Sequence, residues 1–280
     1  MQDLSGQVVL ITGASSGIGA AAAREFARAG AQVALAARRA ERLEALAHEL
    51  GPAALPVPAD LTQRADRERL VAETLAHFGR IDVLVNNAGL GRLGWLETLT
   101  AEEIEAQVNV NLLALMDLTR LVLPPMLARR SGHIVNIASL AGHIGAPTYA
   151  VYCATKFGVR GFSEALRREV APFGVRVSWI SPGGVAGTEF GERAGLRRRT
   201  RLTTPRRLQP TAEDVARAVV RMVRQPRREV ILPWLLRLTV WINALLPGLT
   251  DRVVAEAFTK RERGCTHRLS RSGRRGRGSQ

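Results

Sequence analysis

The 280-residue sequence predicts an α/β protein built as a single doubly wound parallel sheet with helices on both faces. Three observations predict it. Short apolar runs alternate with helical patterns at βαβ spacing through most of the chain. The composition is 46% hydrophobic but only 5% aromatic, which suits Ala-, Val- and Leu-rich strands covered on both sides. A glycine-rich turn joins the first apolar run to the first helical one.

The elements follow in order. Residues 7–12 (QVVLIT) read as a buried strand, and residues 17–29 place small side chains at helical spacing. Residues 31–37 (AQVALAA) are a second strand, 39–50 a helix, 54–58 a weak third strand and 62–78 a helix capped by Thr62. Residues 81–86 (IDVLVN) form a fourth strand. Residues 101–129 read as one long helix or two joined, with Pro124 and Pro125 placed to bend it. A fifth strand at 133–138, a helix at 149–170 and a sixth strand at 175–180 come next. The last pair is a helix at 211–223, with Thr211 and Asp214 spaced for a cap, and a short strand at 229–232. The expected organisation is one folded domain over residues 1–232, an apolar extension over 233–259 and a disordered basic tail over 260–280.

The formal net charge of +15 suggests nucleic acid until it is located. Residues 260–280 hold eight Lys/Arg and one Glu, residues 192–207 hold seven Arg and one Glu, and the rest carries only +2. A nucleic-acid partner is therefore not expected. The segment 192–207 reads equally as a steering patch for an acidic ligand or as a solvated lid. Cys153 and Cys265 have neither metal-ligand nor disulfide-framework spacing, so no metal is expected. The first residues lack an export pattern, and a cytoplasmic compartment is the expectation.

The turn after the first strand reads Thr12-Gly13-Ala14-Ser15-Ser16-Gly17-Ile18-Gly19. Glycines there let the backbone turn sharply and approach a ligand, and a helix N-terminus offers free N–H groups to a pyrophosphate. Gly13, Ser15, Ser16, Gly17, Ile18 and Gly19 are thus candidate cofactor contacts. A dinucleotide fold usually ends its second strand in a carboxylate for the ribose 2′-hydroxyl. Here that strand ends Ala36-Ala37-Arg38-Arg39, with a guanidinium to pair with a 2′-phosphate. NADP(H) is favoured over NAD(H), with Arg38 as the main contact, Ser15 as helper, and Arg39 opening a solvated helix.

Tyr152 and Lys156 stand four apart and share one helical face. An ordinary Tyr pKa of about 10 is too high for an efficient base, and a neighbouring ammonium lowers it. Such a pair can exchange a proton with a carbonyl or alcohol oxygen, but simple surface pairing produces the same spacing. It is the position thirteen residues after Ser139, matched to the pattern below, that turns the reading to catalysis.

The spacing Gly-x-x-x-Gly-x-Gly, then Asn86-Asn87-Ala88-Gly89, Ser139, Tyr152-x-x-x-Lys156 and Pro182-Gly183, resembles the short-chain dehydrogenase/reductase family over about residues 5 to 232. The resemblance implies a Rossmann-like NAD(P) oxidoreductase. It implies that Asp60 and Leu61 lie along the adenine, and that Asn87, Ala88 and Gly89 line the adenosine ribose side. Asp60 also reads as a helix cap. Lys156 would hold the nicotinamide ribose, and Ser139 would donate to the substrate oxygen. In the family an Asn of the long helix holds a relay water. Asn111 is chosen over Asn109, because two residues turn a helix by about 200°. Pro182, Gly183 and Val185 would pass the nicotinamide. Thr188 would meet its carboxamide, although the sequence is one residue longer there than the family pattern.

Leu90, Leu93, Trp95, Leu140 and Phe190 are candidate pocket residues and point to an apolar or lipid-like substrate. His133 and Cys153 read as packing residues, and His143 as a solvent-exposed loop residue. Residues 230–249 are apolar but interrupted by Pro233, Arg237 and Pro247, which favours a lid, an oligomer contact or a membrane-surface segment over a span. The family resemblance implies a homodimer or homotetramer. A nonenzymatic nucleotide-binding scaffold is the alternative, and the joint presence of Ser139, Tyr152 and Lys156 argues against it.

Overall fold

A computed structural model describes residues 3–195 and 204–259. Seven strands form one sheet: β1 (Val8–Thr12), β2 (Gln32–Ala37), β3 (Ala54–Pro58), β4 (Val83–Asn86), β5 (Gly132–Ile137), β6 (Val175–Pro182) and β7 (Glu229–Leu232). Their spatial order is β3-β2-β1-β4-β5-β6-β7, and every pairing is parallel. The doubly wound α/β sheet expected from the sequence is the fold observed. The chain starts in the middle of the sheet, winds outward to β3, then crosses back to start the other half at β4. The register Val9↔Val83 and Ile11↔Val85 sets the two innermost strands side by side. Beyond their C-terminal ends the connections diverge, and a crevice opens there.

Helices cover both faces. On one lie α1 (Gly17–Arg28), α2 (Ala40–Leu50) and α8 (Ala212–Arg224), whose Phe26, Leu43, Val215 and Val219 bury against Val9, Ile11, Val33 and Leu35. On the other lie α3 (Arg64–Phe78), the long helix and α6 (Ala150–Val170), burying Leu70, Leu118, Val122 and Leu166 against Leu10, Ala34, Leu84 and Ile134. Consecutive strand residues point to opposite layers, so each run must be apolar throughout.

Two local expectations change. Thr62 does not cap α3, which begins at Arg64 after Gln63. Its amide and hydroxyl both donate to the Asp60 carboxylate, at 3.0 and 2.9 Å, so the side chain is committed to a turn that precedes the helix. The long helix is continuous: α4 (Ala101–Val108) passes through a π-helical turn, Asn109–Leu113, into α5 (Ala114–Ala128), which accommodates Pro124 and Pro125. Thr211 and Asp214 do form the reciprocal cap that their spacing predicts.

After β7 the chain forms two short helices, α9 (Leu236–Leu245) and α10 (Pro247–Val254). The short α7 (Phe190–Arg193) precedes residues 196–203, so Arg197, Arg198, Arg199 and Arg201 of the basic segment lie outside the described residues, as does the tail 260–280.

Candidate active site

The crevice begins at the end of β1. The Thr12 hydroxyl accepts from the amides of Asn87 and Ala88, both at 3.0 Å, and the Asn87 side chain donates to the carbonyls of Thr12 and Gly13. These bonds clamp the glycine turn against the end of β4. Gly13 adopts φ 68°, and a Cβ on Gly19 would stand 2.3 Å from the Gly13 carbonyl oxygen, so the turn closes only without side chains there. Ser16 caps α1 by backbone position alone, with no side-chain bond into the helix. The first turn of α1 therefore presents uncapped N–H groups and the positive end of its dipole to the crevice.

At the adjoining end of β2 the structure places Arg39, rather than the expected Arg38, at the glycine turn. Arg38 is exposed. Arg39 instead folds over the turn: its guanidinium donates to Ser15 Oγ at 2.9 Å and Ser16 Oγ at 2.8 Å and pairs with Glu189 at 3.1 Å. Successive side chains at a strand end point to opposite sides, and it is Arg39 that points to the turn. Glu189 also meets Arg42 and Arg193, each at 2.7 Å, and its carboxyl is held below the usual range, chiefly by Arg42 and then by Arg39. Asp60 holds Thr62, Leu61 is buried, and the Leu61 carbonyl accepts from the buried Arg67.

Across the crevice, α6 carries Tyr152 and Lys156, both buried. The Lys156 ammonium donates to the Ile137 carbonyl at 2.8 Å and sits 5.7 Å from the Tyr152 ring centre. Burial pushes the Lys156 amine down to about 8. The lowered phenol expected from the sequence is not found: burial pushes Tyr152 well above its ordinary value, and its hydrogen bond with the Ser139 hydroxyl only partly pulls the other way. Ser139 begins the turn after β5, and its Oγ accepts from the Ala141 amide at 3.1 Å. Phe190 of α7 packs over the phenol ring, with centroids 5.4 Å apart.

Asn111 lies in the π-helical turn and is buried, whereas Asn109 is half-buried. The Asn111 carboxamide bonds both backbone groups of Leu90 at 2.8 Å and donates to Thr155 Oγ1 at 3.1 Å. A Cβ on Gly89 would stand 3.4 Å from Asn111 Oδ1 and 3.8 Å from Lys156 Nζ, so Asn111, Lys156 and Gly89 converge. Pro182 ends β6, the Gly183 amide donates to Leu232, and Val185 packs on the core. Thr188 lies against Gly17: its Cγ2 would be 3.5 Å from a Cβ there, which sets it beside the phosphate-type turn. Of the expected pocket residues, Leu90, Leu93, Trp95, Leu140 and Phe190 are all half-buried.

His143 departs from expectation. It is buried, and its Nε2 meets Glu229 Oε1 at 2.6 Å and Ser181 Oγ at 3.3 Å, tying the Ser139 loop to β6 and β7. Burial raises the Glu229 carboxyl, but His143 and Ser181 outweigh it and leave it low. A second buried chain also escaped sequence reading: Asn86 donates to Asn136 and Thr119, and Asn136 donates to Ser163. Its only signal was a polar residue in the middle of an apolar strand. Among the described residues no His, Cys, Asp and Glu cluster could hold a metal.

The fold and these residues fit a dinucleotide: an uncapped helix N-terminus beside a guanidinium at one end, and a phenol, an amine and a hydroxyl at the other. Comparison with known proteins agrees. A family described as short chain dehydrogenase matches residues 7–198. The ketoacyl reductase HetN of Nostoc sp. is 36% identical over 263 residues, covering 90% of each chain. Serine dehydrogenase complexed with NADP+ superposes with a TM-score of 0.74 at 36% identity, covering 81% of this chain and 94% of that one. A short chain dehydrogenase/reductase from Burkholderia phymatum in complex with NAD superposes with a TM-score of 0.80 at 27% identity, covering 89% and 97%. The chain therefore belongs to the short-chain dehydrogenase/reductase family, and is an NAD(P)-dependent oxidoreductase acting on CH–OH groups rather than a nonenzymatic scaffold.

Proposed function

We propose that the protein is an NADPH-dependent reductase of an apolar or lipid-like carbonyl compound, with Tyr152 as proton donor. The observation that carries this reading is the buried Tyr152–Ser139–Lys156 group under Phe190, facing a crevice whose far end is held by Arg39. The bound nicotinamide supplies the hydride when a carbonyl is reduced.

The protein's own residues do the rest. The N–H groups at the start of α1 receive the pyrophosphate, and Arg39 with Ser15 takes the 2′-phosphate, as a planar guanidinium suits. Ser139 donates a hydrogen bond to the carbonyl oxygen as charge grows there. Tyr152 gives that oxygen its proton. A phenol is protonated at neutral pH without any help, the state a reduction requires. Burial raises it further and so opposes proton release, and the bond with the Ser139 hydroxyl works the other way. Lys156 orients the nicotinamide ribose and stabilises the phenolate left behind. Asn111 fixes the Leu90 backbone, next to Gly89 and the ammonium, where a relay water would be held. Leu90, Leu93, Trp95, Leu140 and Phe190 favour an apolar acyl or alkyl group, and the similarity to a ketoacyl reductase supports such a substrate.

A second copy is expected on the long helix and α6, which pack together and leave Val108, Leu113 and Phe157 exposed.

The test is steady-state kinetics with NADPH and NADH on a panel of apolar ketones, aldehydes and 3-oxoacyl thioesters. Arg39→Ala should raise KM for NADPH by about 10- to 100-fold, the loss of one bidentate charge-assisted pair, and leave NADH nearly unchanged. A wild-type preference for NADH would overturn the cofactor assignment.

A further inference from the structure

The helices after β7 show two unlike faces. The inner face of α9 is used by the fold. A Cβ on Gly183 would stand 2.7 Å from Leu236 Cδ1, and Asn243 Nδ2 donates to the His143 carbonyl at 3.4 Å. The outer face is apolar and open. Trp234 and Leu245 are each 71% exposed, Leu238 is 66% and Trp241 61% exposed, and Leu249 and Val253 continue the stripe on α10. Within α9, Leu238, Trp241 and Leu245 recur at three- and four-residue intervals and line one side, and within α10 Leu249 and Val253 stand four apart on one side. Together they leave apolar surface on the order of 800 Å² in water, more than a monomer usually tolerates.

We propose that this face docks onto the surface of an anionic lipid bilayer. Charge argues for lipid and against a second copy of the same face. Residues 233–259 are balanced, Arg237 and Arg252 against Asp251 and Glu256, and the sequence runs on from there through eight Lys/Arg and one Glu at 260–280. Beside Trp234 lies a groove of about 470 Å³ lined by Arg207, Arg217 and Arg221, with Asp214 paired to Arg217. A two-fold contact through this face would bring those groove arginines toward their own copies, whereas acidic headgroups complement them. Two exposed tryptophans on the stripe suit the headgroup level.

Length decides between lying on the bilayer and crossing it. The ten residues of α9 reach only about 15 Å, half a hydrocarbon core. The one described helix long and apolar enough to cross, Ala101–Ala128, buries Leu115, Leu118, Val122 and Met126 against the sheet and α6. The hairpin therefore lies in the interface, apolar side down. Its inner face abuts Gly183 and the His143 loop, which brings the mouth of the crevice close to the membrane. An apolar substrate would then enter from the lipid; that last step alone rests on the substrate class proposed above.

The test is sedimentation of the full-length protein with sucrose-loaded vesicles of phosphatidylcholine alone or with about one-third phosphatidylglycerol. The expected result is selective binding to the anionic vesicles, weakened by added salt. A double variant, Trp241→Glu with Leu245→Glu, should bind at least about tenfold more weakly while keeping its circular dichroism and its turnover of a water-soluble carbonyl. Three results would overturn the proposal. One is no binding by the wild type. Another is undiminished binding by the double variant, which would assign attachment to the basic tail alone. The last is a wild-type dimer that the double variant dissolves without any vesicle binding, which would assign the face to a second copy.

Discussion

At the residue scale, Lys156 carries its charge where the fold gives it one backbone acceptor, the Ile137 carbonyl, and little water. Holding that charge is a cost accepted for function. The amine falls from 10.5 to about 8, which corresponds to about 3 kcal/mol against the folded state at neutral pH. The sign follows from proton counts. Between pH 8 and 10.5 the unfolded chain binds the proton and the folded one does not, so stability from this group rises with pH across that window. Lys156→Met should therefore stabilise the protein at pH 7 by about 1–3 kcal/mol and abolish turnover. The gain should shrink as pH approaches about 10, and urea unfolding at both pH values reads it. A variant less stable than wild type at pH 7 would contradict this account.

The same scale shows what the sequence disclosed. The meeting of Tyr152, Lys156 and Ser139 in one place was legible because their order and spacing follow from one strand, one turn and one helix. The choice of Arg39 over Arg38 was not, since it depends on which way a side chain leaves the end of β2. The turn it meets lies more than twenty residues earlier in the chain.

At the element scale, the site is a set of strand ends held in register by buried polar bonds. The Asn86–Asn136–Ser163 chain crosses from β4 through β5 to α6, and its bonds of 2.8 and 2.9 Å fix the helix that bears Tyr152. His143, Ser181 and Glu229 do the same for the loop after β5. Residue 143 reads as an exposed loop residue in sequence because its carboxylate partner lies eighty-six residues later on β7. Glu229→Ala would leave His143 Nε2 and the Ser181 hydroxyl without that partner in a buried place. It should cost about 2 kcal/mol in urea unfolding, and Glu229→Gln should recover roughly half. An Ala variant as stable as wild type would show that water replaces the carboxylate and that the tie is dispensable.

At the scale of the whole molecule, the sheet order follows from alternation of strands and helices with right-handed crossovers, and that was readable in the chain. Its N-terminal end carries a further consequence. His133 at the start of β5 is buried beside Arg176, and burial with that neighbour depresses it to about 3. Below pH 6.5 the unfolded chain takes up a proton that the folded chain refuses, so stability falls from there toward pH 3. His133→Gln should flatten that decline in a pH series of thermal unfolding. A slope unchanged from wild type would assign the acid sensitivity elsewhere. The arrangement of α9 and α10 was only partly legible. Their apolar residues were plain, but which face the fold uses depends on Gly183 and His143, contacts that no local pattern encodes.

One measurement bears most directly on the reductase account. Tyr152→Phe removes the phenolic oxygen and keeps the ring that packs under Phe190. Titrated with NADPH by fluorescence and then assayed on the best carbonyl substrate, it should bind the cofactor within about twofold of wild type and lose turnover by at least about 100-fold, the usual worth of a placed proton donor. Turnover near the wild-type rate, with binding intact, would mean that another group delivers the proton.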